Sequence, residues 1–286
     1  MNAIIMAAGT ASRFVPLSEE IPKGLLNVRG EILIERQIKQ LMAAGVKDIA
    51  VVLGYKAGMF QYLADRFGVE LVYNEDYGRY NNTSSMIRVI DRLADTFICC
   101  SDHYFTENVF LDKPRESYYA ALYAPGETDE YCLQINEDDW INDVQIGGKD
   151  AWYMAGQVFF NKSFSETFRN IFIQEYKKEE TRHGYWEDVY IRHLAELPMK
   201  AKKYQAGVIN EFDSIDELRL FDCSYIHDTR STIVKKICSA LSCKEEDIHS
   251  FKRIKHDGDY LLFSIRKGDD RYIYDGSDSS IKKEQV

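Results

Sequence analysis

The N-terminal third of the chain alternates between short apolar runs and segments with the periodicity of a helix. Apolar runs occupy residues 3–7, 48–53, 70–73 and 96–100, and the helical segments between them span residues 32–44, 60–67 and 84–93. Strands that alternate with helices build a parallel sheet that the helices cover on both faces. The alternation therefore predicts an α/β fold, Rossmann-like, with a mostly parallel central sheet.

Beyond residue 118 the pattern changes to a series of shorter strands. We expect strands at residues 118–123, 131–135, 140–146 and 155–160, with turns at Asn142-Asp143 and Gly147-Gly148. This region predicts a small antiparallel lid over the substrate site. Helices are predicted at residues 163–178, 186–197 and 213–221, the last with Asp213 or Ser214 as its N-cap.

The residues after about position 228 look like a separate piece. A predicted helix at 232–241 precedes strands at 251–255, 260–266 and 271–274, with turns at Asp257-Gly258 and Gly268-Asp269. The last ten residues are polar, and we expect them to fray. The sequence thus predicts a main domain over residues 1–227 and a short α+β C-terminal appendage over residues 228–286.

The composition and charge of the chain limit which molecules it can be expected to bind and where in the cell it is expected to work. The formal net charge of −10 argues against a chain that wraps nucleic acid, because such chains need a basic surface to displace counterions. No apolar run approaches the roughly 18 residues of a membrane span, and the first residues lack the features of a secretory signal. The six cysteines lack metal-ligand spacing. We therefore expect a cytoplasmic protein with reduced thiols and with no nucleic-acid or membrane partner.

A loop of small residues follows the first predicted strand. It reads Ala7-Ala8-Gly9-Thr10-Ala11-Ser12-Arg13, and Pro22-Lys23 follows it. Backbone N–H groups of such a loop can approach phosphate oxygens closely. The guanidinium of Arg13 can bind oxygens of the β- and γ-phosphates of a nucleotide in a bidentate manner. Lys23 can reach the α-phosphate as a mobile point charge. The pattern predicts a nucleotide site at Ala7, Ala8, Gly9, Thr10 and Ser12; the alternative is a plain turn with surface charges.

This loop resembles the signature loop of the sugar-1-phosphate nucleotidyltransferase superfamily. Within it, residues 1–222 are most similar to the bacterial LicC-type CTP:phosphocholine cytidylyltransferases. The other matching segments are Leu53-Gly54-Tyr55, Tyr73-Asn74, Tyr80-Asn81-Asn82, Ser101-Asp102-His103-Tyr104 and Glu211-Phe212-Asp213-Ser214. Ala11 departs from the family, which usually has a second glycine there, and alanine fits if its φ is negative. The resemblance implies a nucleotidyltransferase with CTP and phosphocholine as substrates and Mg²⁺ as cofactor.

Two carboxylates are the expected metal ligands. Asp102 follows the predicted strand at residues 96–100, where open α/β sheets place their ligands, and the resemblance makes it the first Mg²⁺ ligand. The resemblance also makes Asp213 the second ligand; from the residues alone a helix cap is the better interpretation, and Asp216 is a neighbouring alternative. Cys100 stands where many relatives carry an aspartate, and a thiol is a poor Mg²⁺ ligand.

The substrate residues are expected on the segments that follow. Asn82 and Thr83 offer donors and acceptors to a nucleotide base, although they can equally cap a helix. Aromatic faces beside carboxylates hold a quaternary ammonium, and the resemblance places Tyr131 and Trp186, with Glu187 next to it, at the choline-binding positions. Core packing is the alternative interpretation for each aromatic residue.

The implied reaction is an in-line displacement at the α-phosphate of CTP, with pyrophosphate as the leaving group. A phosphomonoester is largely dianionic at neutral pH, so no protein base is required. Lys23, Arg13 and Asp102 are expected to face one cleft and to act by positioning and charge neutralisation. Alternative acceptors are 2-aminoethylphosphonate, phosphoethanolamine and a sugar 1-phosphate. A non-catalytic nucleotide-binding regulator is the alternative of another class, and a homodimer stays open.

The appendage is weakly similar to the first strands of choline kinase-like proteins, over residues 248–274. Within it, His256-Asp257-Gly258-Asp259 resembles a degraded phosphate loop. The similarity stops before any kinase catalytic residue, so we do not expect the appendage to be an active kinase by itself.

Overall fold

The computed structural model describes residues 1–254 and 261–284. The chain divides into two compact units. The first comprises Met1–Gly9 and Leu33–Asn210, and the second comprises Thr10–Ile32 and Glu211–Val286. In the described part of the chain, no helix combines the length and the apolar character needed to cross a lipid bilayer.

The elements follow one another in chain order. The strands are β1 (Asn2–Ala7), β2 (Asn27–Val28), β3 (Glu31–Ile32), β4 (Ile49–Leu53), β5 (Glu70–Tyr73), β6 (Thr96–Cys100), β7 (Tyr104–Phe105), β8 (Tyr118–Ile135), β9 (Ile141–Phe160), β10 (Lys200–Lys203), β11 (Ile209–Asn210), β12 (Ile248–Arg253), β13 (Leu262–Lys267), β14 (Asp270–Asp275) and β15 (Ser280–Lys283). The α-helices are α1 (Leu17–Glu20), α2 (Leu33–Ala43), α3 (Tyr62–Phe67), α4 (Thr83–Val89), α5 (Lys162–Glu175), α6 (Glu179–His183), α7 (Trp186–Arg192), α8 (Ile215–Phe221), α9 (Ser224–His227) and α10 (Thr232–Leu241). Short 3₁₀ helices lie at Lys23–Leu25, Ala57–Phe60, Ile90–Arg92 and Glu245–Asp247.

The first unit is built on one large sheet. Among the described residues it has seven strands, in the order β10-β8-β9-β6-β1-β4-β5. β1 pairs in parallel with β4 on one side and with β6 on the other, and the β4–β5 and β10–β8 pairs are also parallel. β9 runs antiparallel to β6 and β8. The predicted α/β fold with a mostly parallel central sheet is confirmed.

The central strands of this sheet are covered on both faces. Every residue of β4, which reads IAVVL, is buried, because a strand with helices on both sides needs apolar side chains at each position. Ile4 of β1, Ile98 of β6 and Phe168 of α5 belong to the same hydrophobic core. Polar side chains that bind a ligand are therefore expected where the strands end, along the carboxyl edge of the sheet.

Residues 118–160 form two long strands, where the sequence predicted four short ones separated by turns. β8 and β9 pair with each other, and the predicted turns at Asn142-Asp143 and Gly147-Gly148 lie inside β9. The register of the pair shifts repeatedly, for example between Thr128 and Tyr131. Gly147, opposite that shift, has a φ of 79°, which glycine adopts without strain at a β-bulge. β9 therefore continues through Gly147 and Gly148, and the register shift forms a bulge there.

The second unit contains the loop of residues 10–32, helices α8 to α10 and an antiparallel sheet in the order β12-β13-β14-β15. Ser214 is the N-cap of α8, because its side chain accepts a hydrogen bond from the backbone N–H of Glu217. β15 pairs with β14, so the expectation that all of the last residues fray is wrong: strand pairing satisfies their backbone groups. The turn at Gly268-Asp269 is confirmed, whereas the predicted turn at Asp257-Gly258 lies outside the described residues.

Hydrogen bonds attach the loop of residues 10–32 to the C-terminal residues. The carboxylate of Glu20 accepts hydrogen bonds from the backbone N–H groups of Thr232 (2.9 Å) and Ile233 (3.0 Å) at the start of α10. The hydroxyl of Tyr225 donates to the carbonyl of Asn27 at 2.8 Å. Residues on both sides of position 228 thus pack on the same loop, within one compact unit. The boundary between a main domain and an appendage at residue 228 stays a prediction from the sequence.

Candidate active site

The small-residue loop leaves β1 at the carboxyl edge of the sheet. Ala7 and Ala8 are buried, whereas Gly9 and Thr10 are exposed. Ala11 has a φ of 47°, in the left-handed region. The condition under which alanine fits this departure from the family is therefore not met, and alanine carries a conformational cost of about 1–2 kcal/mol that glycine avoids. Strain of this kind is common in loops that bind ligands.

Gly54 shapes this loop from the neighbouring strand. The backbone N–H of Tyr55 donates to the carbonyl of Ala8 at 3.1 Å, so the segments that follow β1 and β4 are in contact. A Cβ atom added at Gly54 would lie 2.6 Å from the side chain of Tyr77 and 2.9 Å from the carbonyl oxygen of Ala8. Glycine is required here because the backbone approaches so closely.

A small cleft of about 120 Å³ in the first unit opens beside this loop. Its lining is rich in amides and hydroxyls, which can donate to and accept from the edge of a nucleotide base. It is lined by Met6, Ala8, Gly9, Asn74, Tyr77, Tyr80, Asn81, Asn82, Ser84 and Ser85. Of these residues, the sequence had assigned a ligand-binding role to Ala8, Gly9 and Asn82.

Asn74 organises one wall of this cleft, and the sequence assigned it no role. It is buried, and its side-chain amide donates to the hydroxyls of Ser84 (2.9 Å) and Ser85 (3.0 Å). These hydrogen bonds fix the orientation of both hydroxyls. Its place directly after β5, at the carboxyl edge of the sheet, was the signal that could have identified it.

The two predicted base-binding residues differ in what they contact. The side-chain oxygen of Asn82 accepts from the backbone N–H of Trp186 at 2.8 Å, and its amide donates to Glu187 at 3.1 Å, so Asn82 links the cleft to the start of α7. Thr83 is fully buried, and its hydroxyl donates to the carbonyl of Arg182 at 2.8 Å. This structural role of Thr83 speaks against a contact with the base.

The predicted acceptor residues lie around the start of α7. The hydroxyl of Tyr131 donates to the carboxylate of Asp188 at 3.1 Å. Trp186 is only 3% exposed, and its ring stacks on that of Tyr119 with 6.0 Å between the centroids. Its burial favours the alternative interpretation, in which Trp186 is a core residue. Tyr131 and the carboxylates beside Trp186 are the more accessible part of this group.

Among the predicted acceptor residues, Glu187 has a carboxylate whose pKa is shifted well above its usual value. It accepts hydrogen bonds from Asn82 (3.1 Å) and from the hydroxyl of Tyr119 (3.2 Å). Burial raises its pKa to about 7; the hydrogen bonds oppose this rise and the charge of Asp188 adds to it. Near neutral pH Glu187 is therefore divided between its charged and neutral forms, and a cationic ligand would favour the charged form.

Asp102 follows β6, as the sequence predicted, and is partly buried. The thiol of Cys100, the carboxylate of Asp102 and the imidazole of His103 offer ligand atoms that all lie within 4.8 Å of one another. The carboxylate suits Mg²⁺, whereas a thiol and an imidazole suit softer ions. Gly156 makes room for this group, because a Cβ atom there would lie 2.5 Å from the ring of His103. The sequence assigned no role to Cys100, because a thiol is a poor Mg²⁺ ligand, and none to His103.

In the second unit the two predicted cations meet at one carboxylate. The guanidinium of Arg13 lies 2.9 Å from Asp213, and the ammonium of Lys23 lies 3.5 Å from Asp213 and 3.3 Å from Glu211. The side chain of Lys23 is 9% exposed and that of Arg13 is 76% exposed. Lys23 is thus a fixed charge and not the mobile one that the sequence suggested, and Arg13 is the exposed cation.

Asp213 is not the helix cap that its sequence suggests. Ser214 takes that role, and the backbone N–H of Asp213 donates to Glu217 at 2.8 Å, which leaves the carboxylate of Asp213 to the two cations. Burial raises the pKa of Asp213, with Lys23 and Arg13 acting in the opposite direction. A carboxylate beside two cations has oxygen donors of the kind that Mg²⁺ requires. Asp102 belongs to the first unit, and its action together with Asp213 stays a prediction.

Comparison with known proteins identifies similar chains. Residues 3–132 match the model of the MobA-like NTP transferase domain. The chain is 36% identical to the 2-aminoethylphosphonate cytidylyltransferase of Lancefieldella rimae, over 80% of this chain and 95% of that one. It is 31% identical to the choline-phosphate cytidylyltransferase of Streptococcus pneumoniae, over 77% and 96%. The solved structure of LicC, the CTP:phosphocholine cytidylyltransferase of S. pneumoniae, superposes with a TM-score of 0.74 at 31% identity, covering 77% of this chain and 96% of that one.

Gly54→Ala tests the close contact behind the loop. The added methyl group must displace Tyr77 or Ala8, both of which line the cleft, so we expect affinity for CTP to fall about 10-fold or more while the protein stays folded. Titration calorimetry with CTP measures this effect, and circular dichroism checks the fold. Gly58→Ala is the matched control, because a Cβ atom at Gly58 has no neighbour within 4 Å. Equal affinity of the two variants would contradict the assigned role of Gly54.

Proposed function

Since the chain belongs to the LicC-type cytidylyltransferases, we propose that it transfers CMP from CTP to a small phosphorylated acceptor with a cationic headgroup, and that this acceptor is phosphocholine. The chain is an enzyme with an NTP transferase domain, and cytidylyl transfer from CTP to a phosphorylated acceptor is the activity of its relatives. The choice of acceptor is the specific part of the proposal.

The meeting of Arg13 and Lys23 at Asp213 is the observation that supports the chemistry best. Transfer to a phosphorylated acceptor brings two polyanions together, and their repulsion has to be offset by cations. Lys23, held in place by Asp213 and Glu211, would keep its charge in one position and would stabilise the charge that develops on the α-phosphate. Arg13, which is largely exposed, would hold the outer phosphates with its fork.

The acceptor needs no general base from the protein in this mechanism. Its phosphate is largely dianionic at neutral pH and attacks the α-phosphorus, the bond to the β-phosphate oxygen breaks, and pyrophosphate leaves with the electron pair. The small residues of the loop, Ala8 and Gly9 among them, would let backbone N–H groups approach the phosphates. The amides and hydroxyls around Asn74 and Asn82 would hold the base.

Mg²⁺ is part of the proposal, with Asp102 and Asp213 as the residues that would hold it. Both offer carboxylate oxygens, the donors that this ion prefers. When bound, Mg²⁺ would supply further neutralisation of phosphate charge. Arg13 and Lys23 would then act on phosphate oxygens and no longer on the carboxylate of Asp213 alone.

The headgroup of the acceptor would lie near Tyr131, Glu187 and Asp188. Carboxylates beside an aromatic face attract an ammonium group, whether or not it is methylated. A second candidate acceptor is 2-aminoethylphosphonate. The burial of Trp186 favours it, because a primary ammonium needs hydrogen-bond acceptors more than an aromatic wall, and so does the 36% identity to the 2-aminoethylphosphonate enzyme of L. rimae.

Pyrophosphate release from a panel of substrate pairs tests the proposal. We expect CTP with phosphocholine to give the highest kcat/KM and CTP with 2-aminoethylphosphonate to come second. UTP with glucose 1-phosphate should be about 100-fold slower or more. Preference for 2-aminoethylphosphonate would replace the proposed acceptor with the second candidate. Release that requires a sugar 1-phosphate would reject a cationic headgroup, and a protein that binds CTP without any release would be a regulator.

Lys23→Ala should lower kcat by about 100-fold or more, because the variant loses the fixed charge next to the developing negative charge. Steady-state kinetics with CTP and phosphocholine measure this change. Lys236→Ala, which removes an exposed ammonium from α10, is the control and should leave kcat unaltered. A Lys23→Ala enzyme with near-normal turnover would remove Lys23 from the mechanism.

The pKa of Glu187 predicts how acceptor use depends on pH. Because burial raises this pKa to about 7, the carboxylate loses its charge as the pH falls through 7, and attraction for the acceptor cation falls with it. We expect kcat/KM for phosphocholine to fall about 10-fold between pH 8 and pH 6, beyond the loss due to protonation of the acceptor phosphate, whose pKa is about 6.

Glu187→Gln separates these two causes. The variant should have a lower kcat/KM at pH 8 and should retain only the pH dependence of the acceptor phosphate. Rate profiles of both proteins from pH 5.5 to 8.5 show the difference. Identical profiles for the variant and the unaltered enzyme would exclude Glu187 from acceptor binding.

A further inference from the structure

A cleft in the second unit joins the nucleotide loop to the C-terminal sheet. It has a volume of about 570 Å³ and is lined by Ser12, Arg13, Asp213, Ser214, Glu217, Phe251, Lys252 and Arg253. Ser12, Arg13 and Asp213 belong to the proposed nucleotide site. The last three residues belong to β12, which lies beyond residues 1–222, the part of the chain that resembles the transferase family.

The cations that line this cleft are not equivalent. The guanidinium of Arg13 pairs with Asp213, and that of Arg253 pairs with Glu19. Lys252 is exposed, and within residues 1–254 and 261–284 its ammonium forms no ion pair. Among the described residues, Lys252 is thus a cation of this cleft whose charge is not offset by an ion pair.

The carboxylate of Glu217 also lines this cleft, and within the part of the chain that the structure describes it forms no ion pair with Lys252. Its two oxygens accept hydrogen bonds from the backbone N–H of Asp213 (2.8 Å) and from the hydroxyl of Ser214 (3.1 Å), at the start of α8. These contacts hold the carboxylate of Glu217 at the N-terminus of α8. An anionic ligand in the cleft would meet the positive charges of Arg13 and Lys252 beside the carboxylates of Asp213 and Glu217.

Helix α8, which directly follows Asp213, holds β12 in place. Asp216 accepts a hydrogen bond from the backbone N–H of Ser250 at 2.7 Å, and Arg219 donates to the carbonyl of Ile248 at 2.6 Å. The side chain of Phe251 is buried and anchors the strand in the C-terminal sheet. The position of Lys252 is therefore coupled to the segment that carries Asp213.

A β-bulge sets the direction of the side chain of Lys252. The register between β12 and β13 shifts between His249 and Lys252, and Ser250 has a φ of 56°, a conformation that is costly for a residue other than glycine. Bulges redirect the side chains that follow them, and they are frequent next to active sites. Here the bulge leaves Phe251 buried and Lys252 exposed on the wall of the cleft.

From these observations we propose that the C-terminal sheet is part of the nucleotide site and that Lys252 binds the polyphosphate chain of the nucleotide, and afterwards the pyrophosphate product. This inference rests on the proposed function, since it takes the ligand of Arg13 to be a nucleoside triphosphate. The cleft combines the exposed guanidinium of Arg13 with the ammonium of Lys252 and the hydroxyl of Ser12, a donor set that suits phosphate oxygens.

Binding of CTP and of pyrophosphate to the intact 286-residue chain tests Lys252. Titration calorimetry with each ligand should show affinity about 10-fold lower for Lys252→Ala, because one charge-assisted hydrogen bond is lost. Lys252→Arg should retain most of the affinity, and Lys236→Ala should not change it. In turnover assays Lys252→Ala should raise the KM for CTP and leave the KM for the acceptor unaltered.

The outcomes distinguish this inference from the proposed function. Unaltered affinity of Lys252→Ala for both CTP and pyrophosphate would overturn the inference, even if the enzyme transfers CMP as proposed. Lower affinity of this variant in a protein without transferase activity would support a polyphosphate site while the proposed function failed. A weaker interaction with the acceptor alone would also overturn the inference, because it would place the acceptor phosphate, and not the nucleotide, at Lys252.

Discussion

The carboxylate of Asp213 lies between a buried ammonium and an exposed guanidinium, and the chemistry that we propose depends on this arrangement. The carboxylate keeps Lys23 and Arg13 close to each other, although their like charges repel. A triphosphate would replace that carboxylate as the partner of both cations. Because the cations are already in position, little reorganisation is needed when the negative charge of the reactants arrives.

The sequence predicted the parallel half of the fold well, because buried parallel strands and their helices have distinct patterns. β1, β4, β5 and β6 lie within one residue of the predicted positions. The antiparallel half was harder to predict. Gly147 and Gly148 are typical turn residues, yet β9 continues through both, since pairing with β8 stabilises a bulge that local sequence preferences cannot reveal.

In the candidate site, too, residues that belong to local motifs could be predicted, whereas roles that depend on contacts with distant segments could not. Arg13 and Lys23 were predicted from the loop motif and Asp213 from the family resemblance, and in the structure both cations contact Asp213. Asn74 was missed because its role depends on two serines from another segment, and Trp186 was over-interpreted because its burial depends on the packing of α5 and α7. The backbone conformation of Ala11 could not be predicted for a related reason: its φ is set by the folded loop.

The loop of residues 10–32 finds its partners far along the chain. Among the described residues, its long-range side-chain hydrogen bonds reach from 188 positions away, for Lys23 with Glu211, to 234, for Glu19 with Arg253. During synthesis on the ribosome this loop emerges well before residues 211–253, and those contacts cannot form until the later residues have been made. Contacts of such long range slow folding, because the intervening chain has to be ordered first. The loop therefore takes its working shape only after residues far along the chain have joined it, so a prematurely terminated chain would carry the nucleotide motif without the contacts that complete it.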